Sequence, residues 1–168
     1  MITRVKAHVV FWATLLAGVA ADLLSKHFVF SWLSGREGRV FDLWPGVFRL
    51  SLHHNSGGPF SLLQGHRALL IGFAFAALCV VVYLYLGAAR KGMRLSLVGL
   101  AMVAAGAIGN NLFDRLALGA VRDFLDFYLI HYPVFNVADV LICVGAGLLI
   151  LEMLRSGRGE PGSGRSAA

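Results

Sequence analysis

Asp123 and Asp139 are the residues of this chain best placed to do chemistry. They stand sixteen positions apart, in Val121-Arg122-Asp123-Phe124 and Phe135-Asn136-Val137-Ala138-Asp139, and the second stretch opens directly into the apolar run Val140 to Leu151. A carboxylate at membrane depth costs roughly 2.5–3.5 kcal/mol even on the lenient insertion scale, so it is retained for a reason. Two acids returned to one membrane face suggest a shared site, and two close carboxyls suit acid/base activation of water.

Each surrounding polar residue has a plain structural reading as well. Asn136 and Asp139 have the i, i+3 spacing of a helix-capping pair, which serves helix geometry without excluding catalysis. Asp123 has an alternative as a loop carboxylate paired with Arg122, and Asp126 is expected to be the solvated acid of that segment. Asp22 and Lys26 are spaced i, i+4, as in a helical ion pair, and are assigned a structural role. Exchanging them is therefore expected to restore some of the stability that either single change removes. Asn55-Ser56-Gly57-Gly58-Pro59-Phe60 reads as a turn whose backbone a peptide can approach closely. His53 and His54 lack a third ligand at suitable spacing, so no metal site is expected.

Composition fixes the setting of these groups. Of 168 residues, 58% are hydrophobic and 14% charged, with a mean hydropathy of +0.73, which places the chain among membrane proteins. Four apolar stretches, Ala7–Trp32, Ala68–Ala89, Leu95–Phe113 and Val134–Leu154, are each long enough for a bilayer core that takes about 20 helical residues. The first runs on through Asp22 and Lys26 without a small-x-small cleavage site, unlike a removable signal peptide. Basic residues are dense in short segments: Arg4 and Lys6, Arg90, Lys91 and Arg94, and Arg155, Arg158 and Arg165. That density favours cytoplasmic N- and C-termini, with residues 34–66 and 115–133 on the extracytoplasmic side. Five of the nine acids (Asp22, Asp114, Asp123, Asp126, Asp139) then gather at one interface. Phe48, Leu50 and Leu52 alternate with Arg49, Ser51 and His53, a strand pattern. Trp32 and Trp44 fit the headgroup level. The expected fold is a mainly α membrane protein: four transmembrane helices and a small extracytoplasmic β-sheet lying on the membrane surface. Residues 1–155 form one domain, and 156–168 read as a disordered cytoplasmic tail. No basic stripe with interleaved aromatics suggests nucleic acid, and Cys79 and Cys143 read as packing residues. A proton relay or transporter is the rival reading from another class.

Five motifs in chain order resemble those of lipoprotein signal peptidase (signal peptidase II), a family of bacterial intramembrane aspartic peptidases. They are Asp22-x-x-x-Lys26, Asn55-x-Gly57-x-x-Phe60, Gly109-Asn110 with Asp114-Arg115, Val121-x-Asp123-Phe124, and Phe135-Asn136-x-Ala138-Asp139, and the resemblance covers essentially residues 5 to 155. The resemblance implies that Asp123 and Asp139 form the catalytic dyad, with Asn55, Gly57, Asp114, Arg115, Asn136 and one helix-three asparagine supporting the site or binding substrate. It further implies an inner-membrane enzyme without cofactor that is monomeric and active at the extracytoplasmic face. Its substrates would be prolipoproteins, cut before a diacylglyceryl-modified cysteine, its surroundings membrane lipid, and its inhibitors of the globomycin type. One departure stands out. The family has two residues between Gly-Asn and Asp-Arg, whereas Asn111, Leu112 and Phe113 intervene here. Spacing to Asp114 favours Asn111 over Asn110 as the residue facing the dyad, since one position turns a helix by about 100°. Local helix widening is the other way to absorb the extra residue.

Overall fold

A computed structural model describes residues 3–58 and 63–157. Four helices long and apolar enough to cross a membrane lie where hydropathy places them. They are α1 (Arg4–Ser34), α2 (Arg67–Lys91), a third span that begins as α3 (Arg94–Ala107) and continues as a π-helical segment (Ile108–Leu118), and α4 (Val137–Gly157). Helix α4 thus takes in Ser156 and Gly157, two residues assigned to the tail from sequence; the rest of that tail, and Pro59 and Phe60 of the turn motif, lie outside the described residues.

The third span is the most buried of the four and carries the packing. Its small residues let backbones approach, the means by which helices associate where lipid removes the hydrophobic driving force. Gly99 of α3 and Gly145 of α4 face each other so closely that a Cβ on either would meet the other's carbonyl oxygen, at 2.8 and 2.7 Å. At the end remote from the two aspartates, Phe11, Leu15, Val81, Tyr85, Leu97 and Leu100 close the core between α1, α2 and α3. Cys79 and Cys143 face outward rather than into this packing.

Helix α1 is 31 residues long, about 46 Å at 1.5 Å per residue, which exceeds a bilayer core of roughly 30 Å. Asp22 is therefore not at the helix end: three further turns follow, and Phe30 and Trp32 meet His54 and Phe41 edge to face. The sheet these turns support has three antiparallel strands in the order β1 (Val40–Trp44), β2 (Phe48–Asn55), β3 (Val121–Asp126). β1 leaves Val40, Phe41, Leu43 and Trp44 exposed, a face suited to the headgroup region. In β2 the buried residue is Ser51, not its leucine neighbours, because Ser51 bonds Asp126 of β3.

Candidate active site

β3 is the element the residue pattern did not reveal. It carries Asp123 out of the expected loop and onto the sheet edge above the helix ends, with the Asp123 backbone opposite His53. Asp139 stands in the first turn of α4. Between them lies Asn136, fully buried, whose side chain serves both. Its Nδ2 donates to Asp123 Oδ1 at 2.6 Å, and its Oδ1 accepts the Asp139 backbone N–H at 3.1 Å. Asp139 Oδ2 in turn accepts the Asn136 N–H at 3.0 Å, so the capping pair read from sequence is present and is also the bridge between the carboxylates.

Asp123 is only 3% exposed, and its second oxygen accepts from Asn55 Nδ2 at 3.2 Å. Burial, and next the negative charge of Asp139, push its carboxyl up to about 7, against the pull of the Asn55 and Asn136 amides. Asn55 Oδ1 also accepts the Gly57 N–H at 2.9 Å, an Asx turn that fixes the start of the glycine segment. Arg115 holds the same segment by donating to the Gly57 carbonyl. Arg122 does not pair with Asp123; it grips Asp114 through Nη2 at 2.8 Å and its backbone N–H at 3.0 Å. Sequence reasoning gave Arg122 no role of its own. Asp126 is the other correction: it is 5% exposed, bonded to Arg49 Nε at 2.7 Å and Ser51 Oγ at 3.2 Å, and stitches the sheet instead of facing solvent.

Beneath the carboxylates lies a buried charge network. Lys26 Nζ donates to Asp22 Oδ2 at 2.8 Å and Asn110 Oδ1 at 2.7 Å, and its charge also pairs with Asp114 Oδ2 at 3.0 Å. Asp22 Oδ1 accepts the Ala138 N–H at 3.0 Å, so the pair on α1 also caps α4. Among the described residues no buried side-chain polar atom lacks a partner. Gly109 makes room for this arrangement, since a Cβ there would collide with the Asp22 carboxylate.

Asn110, not Asn111, faces the dyad, which reverses the expectation from spacing. Asn110 Nδ2 donates to Asp139 Oδ1 at 2.9 Å, and its Oδ1 accepts from Asn136 at 3.0 Å as well as from Lys26. Asn111 bonds Arg115 Nη1 at 3.0 Å and reaches neither carboxylate. The physical reason is the π-helical winding of Ile108–Leu118. Hydrogen bonds reaching five residues back widen the turn and take up one added position, so Gly109-Asn110 keeps its face while Asp114 and Arg115 return to theirs. Removing Asn110 takes a donor from Asp139 and an acceptor from Lys26. Asn110→Ala is expected to lower turnover about ten- to hundredfold and to lower the melting temperature. Asn111→Ala stays within about threefold, and the reverse order in a turnover assay would refute the assignment.

A family model described as signal peptidase (SPase) II matches residues 14–155. The lipoprotein signal peptidase of Gloeobacter violaceus is 39% identical over 163 residues, covering 94% of this chain and 89% of the relative. That of Brevibacillus brevis is 37% identical over 149 residues, covering 88% and 97%. In fold, the chain is similar to a bacterial membrane enzyme solved by the in meso method at 2.3 Å resolution, with a TM-score of 0.79 over 92% of this chain and 93% of that one at 24% identity. A second such structure, at 1.9 Å, gives a TM-score of 0.72 at 25% identity, covering 86% and 92%.

Proposed function

The chain belongs to the signal peptidase II family, a multi-pass bacterial membrane peptidase that cleaves signal peptides from prolipoproteins, and from that premise we propose that its chemistry is aspartic, with Asp123 and Asp139 as the pair that activates water. The observation that carries this reading is the buried Asn136, which donates to the Asp123 carboxyl through its side-chain amide and to the Asp139 carboxyl through its backbone N–H.

Asp123 holds the shared proton, having little exposure and no cation bonded to it, while Asp139 sits in the first turn of α4, where the helix dipole favours negative charge. The ionised Asp139 takes a proton from water as the oxygen attacks the scissile carbonyl. Asp123 hydrogen-bonds the carbonyl oxygen as charge develops there, and the leaving amine receives its proton from the pair as the tetrahedral intermediate collapses. Every transferred proton is accounted for between two carboxyls and one water. Asn55, Gly57 and Arg115 present a backbone segment that can align the substrate beside the dyad, with the bond before a diacylglyceryl-modified cysteine between the carboxyls. The termini lie on the cytoplasmic side, the dyad lies on the other, and a single copy suffices. Globomycin-type peptides compete for the same site. A proton relay finds no continuation: along α4 the next acid, Glu152, is thirteen residues beyond Asp139, roughly 20 Å away.

The test is processing of a diacylglyceryl-modified prolipoprotein by the purified protein in detergent, with the cut located by mass. Cleavage elsewhere, or equal cleavage of the unmodified precursor, would sink the reading. The pH profile checks the proton assignment. As pH rises through about 7, Asp123 loses its proton and the pair becomes doubly ionised, so turnover falls on the alkaline side. Asn55 favours the ionised form of Asp123, so Asn55→Ala moves that alkaline limb to higher pH; an unmoved limb would give the proton to Asp139, since Asp123 would then be ionised on both sides of the step.

A further inference from the structure

The end of the bundle remote from the dyad carries a site that the peptidase chemistry does not use. A cavity of about 440 Å³ opens between the end of α2 and α3, with Leu149 of α4 among its lining residues. That volume lies within the roughly 300–1,000 Å³ of small-molecule sites. Its wall is mostly apolar (Leu84, Leu86, Met93, Leu100), and its polar members include the cations Arg90 and Lys91. A second cavity of about 190 Å³ shares Leu86 and Arg90 with the first and is otherwise lined by Arg4, His8 and Ala89. His8 is held in place by its hydrogen bond to Tyr85. None of the ion pairs among the described residues uses Arg4, Arg90 or Lys91, although Lys26, Arg49 and Arg122 are all paired with acids.

The geometry points to a bound anionic phospholipid, its phosphate between Arg4, His8 and Arg90 in the smaller cavity and an acyl chain along the apolar wall of the larger one. Charge complementarity selects the headgroup sign, because three cation-capable side chains converge with no carboxylate among the lining residues. The apolar groove that runs on from Arg90 selects a lipid over free phosphate. A signal peptide is disfavoured as occupant, since its basic leading segment would meet the same cations.

Native mass spectrometry of the full chain in dodecyl maltoside tests this with three probes: dioleoylphosphatidylglycerol, dioleoylphosphatidylcholine and inorganic phosphate. One phosphatidylglycerol per protein is expected to be retained, preferred over phosphatidylcholine about tenfold or more. Arg4→Gln with Arg90→Gln is expected to weaken that binding roughly 25-fold, at about fivefold per lost cation. Gly87→Phe tests the groove separately. Gly87 lines the larger cavity, and a Cβ there meets nothing within 4 Å, so the ring fills the groove without disturbing the helix or any charge. Phosphatidylglycerol affinity falls in this variant too, while its melting temperature in lipid-free detergent matches that of the parent. Equal retention of the two lipids, or unchanged affinity in either variant, overturns the proposal. So does displacement of the lipid by an equal concentration of inorganic phosphate, which would show an anion site without a chain, or by a synthetic signal peptide.

Discussion

Asp123→Asn and Asp139→Asn each abolish prolipoprotein processing, by about 10⁴-fold in turnover, and the double variant is scarcely slower than either. The non-additivity is the informative part. A pair that shares one proton and one water is a single catalytic unit, so breaking it a second time removes little. Both proteins accumulate in the membrane, because an amide at either position can still accept from Asn136 while the mutual repulsion of two buried carboxyls is lost. A radiolabelled or gel-shift processing assay reads the result, and appreciable turnover by either single variant would remove that aspartate from the mechanism. Asp126→Asn is a poor control, since Asp126 ties Arg49 and Ser51 into the sheet; the exposed Asp42 of β1 serves better.

Lys26→Met destabilises the protein by about 3–5 kcal/mol, the cost of leaving buried charges without their partner. Asp22 and Asp114 are 0% and 1% exposed, and Lys26 contacts both. The Asp22→Lys, Lys26→Asp exchange does not rescue either single variant. Sequence spacing presented these two residues as a private ion pair, for which a swap restores the attraction. In the structure Asp22 also accepts the Ala138 N–H, which a lysine cannot do, and Lys26 also serves Asn110 and Asp114, to which an aspartate would be a misplaced acceptor and a second negative charge. Thermal unfolding of the purified variants in detergent decides it, and recovery of half the lost melting temperature by the exchange would refute the network.

The spans, the placement of Asp123 and Asp139 at one end of the bundle and the capping pair were legible because each depends on local rules: apolar length against bilayer thickness, an acid where acids are costly, and an i, i+3 spacing. The failures came where a local rule was asked to report a distant partner. β3 has no clean alternation, since Val121, Asp123, Phe124 and Asp126 are all buried by different neighbours, so Val121-Arg122-Asp123-Phe124 read as loop. Asp126 read as solvated because Arg49 and Ser51 lie more than seventy residues upstream. Asn111 was preferred because three residues to Asp114 share a face on an α-helix, but that stretch is wound as a π-helix. The same extra residue, with Asp114 and Arg115 still in the site, was the available signal of that winding.

The bond from Asp22 to the Ala138 N–H joins residues 116 positions apart, the first span to the last. Asp139 and Asn136 enter the site with that last span. On the proposed mechanism, a chain emerging from the ribosome therefore carries Asp123 before its partner, and the proposed pair is incomplete until the last span is made. The proposed pair is then completed by one event, the docking of the final helix onto the first, so that maturation in time follows the order of the segments.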